Sequence, residues 1–102
     1  MLDFINLIEP ALISGVTVKI YVEEDGTKCI DLNTEAKSWC ILKSCGNDIY
    51  AHMRYDKVIK VESFNDVLKC VRDCCYGRSF FNKNWIKCMD DHHVTRPVMY
   101  EN

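Results

Sequence analysis

Between Val16 and Val22 apolar and polar side chains alternate strictly. Val16, Val18, Ile20 and Val22 fall on one side, Thr17, Lys19 and Tyr21 on the other. A period of two predicts a half-buried strand over residues 16–23. Asp25-Gly26 then marks a hairpin. A two-residue loop at Asp25-Gly26 would set Ile20 against Asp31. A three-residue loop over Glu24-Asp25-Gly26 sets Ile20 against Ile30 and Val18 against Leu32. Opposed residues share a face, so the second register is expected, with Gly26 at the left-handed bulge position. A third strand is expected over 37–44, with Trp39 and Ile41 on one face and Cys40 and Leu42 on the other. After a turn at Cys45-Gly46-Asn47-Asp48, residues 49–55 read as a strand placing Ile49, Ala51, Met53 and Tyr55 together. Residues 57–62 extend as a fifth strand after a bend at Asp56. Short turns between sequential strands mean antiparallel pairing.

The period changes to 3.6 at both ends. Residues 3–14 predict a short helix with Asp3 as cap, Ile5, Ile8 and Leu12 recurring at helical spacing, Leu7 and Ala11 beside them, and Gly15 as stop. Pro10 conflicts with one continuous helix and predicts a kink or a split around Glu9-Pro10. Ser63 opens the clearest helix, with Asp66 three residues on as its capping partner. Phe64, Val67, Leu68, Val71, Cys74 and Cys75 form its stripe, Lys69, Arg72 and Asp73 face away, and Gly77 ends it. Ser79 is the expected cap of a last helix reaching about Met89, with Phe81, Trp85 and Cys88 or Met89 inward. Residues 90–102 show no period, and Pro97 argues against a helix there. The expected fold is α+β, with residues 1–102 as a single domain. It comprises a short N-terminal helix, an antiparallel sheet of four to five strands, and two C-terminal helices packed on one sheet face.

Composition narrows the class. The chain has 102 residues, is 48% hydrophobic and 27% charged, and carries 4 Gly and 2 Pro. That excludes disordered and collagen-like chains. A formal charge of −2 argues against a dedicated nucleic-acid binder. The halves differ mildly, −4 over residues 1–51 and +2 over 52–102. The opening residues lack a basic region, and Asp3 and Glu9 break their apolar run, so no signal peptide is expected. No stretch is long and apolar enough to span a bilayer, so no membrane partner is expected. Seven cysteines, an odd number, fit reduced thiols and a cytosolic chain.

Candidate chemistry is sparse. Cys70 and Cys74, four apart, could face Cys88 and His92, also four apart, and supply four zinc ligands. Neither pair has the CxxC or CxxH spacing of a metal site, and core packing explains Cys70 and Cys74 equally. No local signature marks a nucleophilic cysteine, and there is no phosphate-binding loop or HExxH. No catalytic residue and no cofactor are therefore assigned, and enzyme activity is not expected. Lys69, Arg72, Arg78, Lys83 and Lys87, interleaved with Phe80 and Trp85, would form a basic face, but the acidic balance favours an ordinary solvated surface. Tyr21, Tyr50 and Arg54 lie at positions opposite the apolar set. Exposed aromatics with an arginine are the types enriched at interaction hot spots.

The stretch Phe64-Asn65-Asp66-Val67-Leu68-Lys69-Cys70-Val71-Arg72-Asp73-Cys74-Cys75-Tyr76-Gly77-Arg78-Ser79-Phe80-Phe81-Asn82-Lys83-Asn84-Trp85 resembles the C-terminal part of small phage-encoded accessory proteins. The shared pattern is an amphipathic helix, then Asp-Cys, Gly-Arg, an aromatic, Asn and Trp. It covers about a fifth of the chain and carries no known chemistry. The resemblance implies a small viral product that binds and inhibits a host enzyme or defence complex. The expected function is thus a non-enzymatic protein-binding module with a host protein as partner and Tyr21, Tyr50 and Arg54 at the contact. A nucleic-acid-binding or zinc-dependent regulatory module is the alternative. The sequence leaves a homodimer open.

Overall fold

The computed structural model of the chain describes residues 4–32, 40–74 and 83–97. Its architecture is α+β. Five strands, β1 (Lys19–Val22), β2 (Lys28–Asp31), β3 (Cys40–Cys45), β4 (Asp48–Met53) and β5 (Val58–Val61), form one sheet in chain order, each antiparallel to the next. A short 3-10 turn at Asn6–Ile8 leads into α1 (Glu9–Ile13). Two helices follow the sheet, α2 (Phe64–Cys74) and α3 (Lys83–Asp91).

Turn chemistry fixes the first hairpin. Ile20 pairs with Ile30, Gly26 holds φ +89°, and the Glu23 amide donates to the Thr27 carbonyl at 2.9 Å. The loop is therefore Glu24-Asp25-Gly26, closed further by the Thr27 amide donating to Asp25 Oδ1 at 2.9 Å. A two-residue turn with Gly46 at φ +61° joins β3 to β4. The β4–β5 turn is different. Tyr55 and Asp56 both take left-handed φ, 60° and 57°, and the strand ends at Met53. Tyr55 therefore leaves the buried face expected for it and is 90% exposed.

Pro10 acts as expected at the N-terminus. Among the described residues there is no single helix over the segment but a 3-10 turn followed by α1, with Pro10 in its first turn, where a missing amide costs little. The buried side is Leu7, Ile8 and Ala11, whereas Ile5 and Leu12 are exposed. The capping role expected of Asp3 lies outside the described residues. Gly15, at φ +88°, ends α1 in a Schellman motif, its amide donating to Leu12 and that of Val16 to Ala11. The same two bonds recur at the end of α3, from His93 to Asp90 and from Val94 to Met89, with His93 at φ 58° in the glycine position.

The Ser63 hydroxyl accepts the Asp66 amide at 3.2 Å, and Asp66 Oδ2 accepts the Glu62 amide at 3.0 Å. The reciprocal bond thus reaches one residue further back than in the usual capping box. Helix α2 buries Val67, Leu68, Cys70, Val71 and Cys74 and packs on β3, β4 and β5. Helix α3 buries Trp85, Cys88 and Met89 and packs chiefly against α1 and α2. Trp85 Nε1 donates to the Leu32 carbonyl at 3.2 Å, and Asn84 Nδ2 to the Gly15 carbonyl at 2.9 Å. One hydrophobic core results, joining Ile30, Leu42, Ala51 and Met53 of one sheet face to α2, α3 and the N-terminal segment. The parts expected of Trp39, Cys75, Gly77, Ser79 and Phe81 lie outside the described residues.

Candidate interaction surface

Because strand residues alternate faces, the register that buries Ile30 and Leu42 sets a second row on the opposite side. Across all five strands it reads Tyr21, Cys29, Lys43, Tyr50, Lys60. A parallel row reads Lys19, Asp31, Ile41, His52, Val58. None of these side chains belongs to the hydrophobic core. Tyr21 and Tyr50, both half-buried, are therefore on one face as expected, three strands apart, or about 14 Å at ~4.8 Å per strand.

The row is knit together at its β1–β3 end. Lys43 Nζ lies 2.6 Å from Glu23 Oε1, and the Cys29 thiol donates to the same oxygen at 3.2 Å. The Lys43 ammonium and the Cys29 thiol together hold Glu23 below the usual carboxylate range, and Glu23 in turn raises Lys43. Cys29 is fully buried although it lies on the outer face, because its immediate neighbours close over it. Desolvation, then the bond to Glu23, push its thiol up. Desolvation and Cys29 raise the Tyr21 phenol, and desolvation lowers His52, helped by the Lys43 charge. A raised thiol is the opposite of what a nucleophile needs. The arrangement is a row of aromatic and cationic side chains tied at one end by the Lys43–Glu23–Cys29 contacts. The buried outer-face cysteine had no sequence signal beyond its place in the hairpin register.

Arg54 is not part of this row. It follows β4 in the bend and lines a groove of ≈ 240 Å³ with Met53, Tyr55, Lys57, Asp73 and Cys74. Cys74 sits against the Cys40 thiol. Their hydrogen bond lowers Cys74 and raises Cys40, with Arg54 and Lys57 adding to the lowering of Cys74. Among the described residues no imidazole lines the groove, and the carboxylate beside the thiol there, Asp73, opposes its ionisation.

The alternative zinc ligands are placed apart. Cys70 and Cys74 share the buried side of α2, with burial raising Cys70 to about 11. The Cys88 thiol donates to the Pro10 carbonyl at 4.0 Å, and His92 makes an edge contact with Phe64, ring centroids 4.9 Å apart. Among the described residues, no three His, Cys, Asp or Glu side chains are grouped to hold a metal ion. The basic face expected over the last two helices lies in part outside the described residues. Among those residues, no helix is long and apolar enough to cross a membrane. Comparison with protein-family models, with curated proteins and with solved structures found no match.

Proposed function

We propose that the chain is a non-enzymatic protein-binding module whose contact surface is the outer sheet face. The observation that carries this reading is the row Tyr21, Cys29, Lys43, Tyr50, Lys60, which crosses every strand and lies outside the core. An antiparallel sheet with one face packed leaves the other for water or for a partner. A face destined only for water does not need two tyrosines, Ile41 and Val58 among its charges. Tyrosines supply apolar area with a polar tip and anchor interfaces, and the lysines suit the rim. The resemblance of residues 64–85 to phage accessory proteins makes the partner a host enzyme or defence complex, inhibited by having a working surface covered.

The test is a lysate pull-down read comparatively. A protein retained by the native chain is identified by mass spectrometry, and its affinity is measured for Tyr21→Ala, Tyr50→Ala and Arg54→Ala. Each tyrosine variant is expected to weaken binding by about 1–2 kcal/mol or more with the fold intact. Loss through Arg54→Ala with both tyrosine variants unaffected would move the contact to the groove beside α2.

A further inference from the structure

Among the described residues β1 is an edge strand. The sheet order ends there, so no described strand pairs with its outer side. The direction of its free backbone groups follows from the hairpin. The Glu23 amide donates inward to Thr27, so Val22 and Ile20, of opposite parity, aim their N–H and C=O groups outward. The side chains of the same two residues lie on the face of Ile30 and Leu42, but α2 covers β3, β4 and β5 and stops short of β1. Ile20 is 53% exposed and Val22 62%. The edge has neither the proline nor the bulge that commonly blocks such strands.

We propose that this edge pairs antiparallel with β1 of a second copy across a two-fold axis at Tyr21. The outward groups of Ile20 then meet those of the partner's Val22, and the reverse, in four backbone hydrogen bonds. Ile20 and Val22 from both chains form one apolar cluster beyond the edge of α2. On the other face Lys19 stands opposite the partner's Glu23 at both ends, and the two Tyr21 rings meet at the closely spaced central position. Charge selects this register. Moving the axis to Ile20 removes the Lys19–Glu23 pairs, and moving it to Val22 sets Ile20 against the partner's Glu24. The axis closes the assembly at two chains and makes one ten-stranded sheet. A four-residue strand buries little area, so the dimer is weak and concentration-dependent. The inference does not rest on the proposed function, and its test contains no other protein.

The experiment is sedimentation velocity and native mass spectrometry of the full chain over a range of concentrations at low salt. The native chain is expected to form dimers. Lys19→Glu alone and Glu23→Lys alone should each weaken self-association at least tenfold, since each sets like charges across the axis. An equimolar mixture of the two variants should form the heterodimer, because each chain then supplies the charge that the other lacks. Val22→Pro removes an outward amide without touching the ladder to β2. It should abolish the dimer while circular dichroism stays native. A native chain that remains monomeric throughout overturns the proposal. So does a dimer that survives both charge reversals and Val22→Pro, since it must use another surface.

Discussion

His52 illustrates how one side chain inherits its chemistry from a whole sheet. It lies between Ile41 and Val58 on the outer face, where desolvation, with the Lys43 charge second, keeps its imidazole neutral to lower pH than usual. The unfolded chain takes up that proton near pH ~6.5 and the folded chain does not, so unfolding binds protons below that value. Stability should therefore fall as pH drops through the weakly acidic range, and His52→Gln should flatten the fall. Denaturant melts at about pH 5 and about pH 8, with an NMR titration of the ring, check this. An imidazole titrating above its ordinary value would contradict it. Tyr55 and Asp56 are the second case. Both are held at left-handed φ without being glycine, and Tyr55 gives up almost no packing in doing so. Replacing the pair by Asn-Gly, the preferred residues for such a turn, should raise stability by about 1 kcal/mol. A variant no more stable than the native chain would show that the side chains repay the strain locally.

At the scale of the element, α2 carries the sheet. Its buried stripe of Val67, Leu68, Val71 and Cys74 follows the periodicity expected from the sequence, with Cys70 added on the same side. Leu68 is fully enclosed, so Leu68→Ala should cost about 2–5 kcal/mol in a denaturant melt. A loss below about 0.5 kcal/mol would mean that the site collapses freely around the shorter side chain. The two Schellman motifs show what a sequence does and does not announce. Gly15 marks the end of α1 openly. His93 does the same for α3, but a histidine carries no such signal, and only the bonds to Asp90 and Met89 reveal it. The first hairpin was legible because its register follows from matching apolar positions and one glycine. The β4–β5 turn was not, because neither Tyr55 nor Asp56 has a glycine's preference for left-handed backbone.

At the scale of the whole molecule, the sheet has one covered face and one outer row, and its two ends are covered unequally. Helix α2 lies over β3 to β5, while β1 keeps its apolar Ile20 and Val22 in solvent. The two proposed contacts use the row of Tyr21 and Tyr50 on the outer face and the outer edge of β1, with which no described strand pairs. By itself the sequence determined the α+β class, an antiparallel sheet of four to five strands in chain order, the Ile20–Ile30 register, a break in the helix at Pro10 and the stripe of α2, and the structure then fixed the fifth strand and the split. Each follows from periodicity or turn chemistry within a few residues, where local sterics and the choice of face decide. Tertiary structure alone decided which apolar positions are covered. It enclosed Leu7 and Ala11 but left Ile5, Leu12 and Ile20 exposed, and it closed Cys29 beneath Glu23, Lys43 and Tyr21 on the outer side. It also set Arg54 in a groove with Cys74 and, among the described residues, gathered no three metal-ligating side chains into one cluster. Burial depends on how far packed helices reach and which distant side chains meet, and neither is encoded in local spacing.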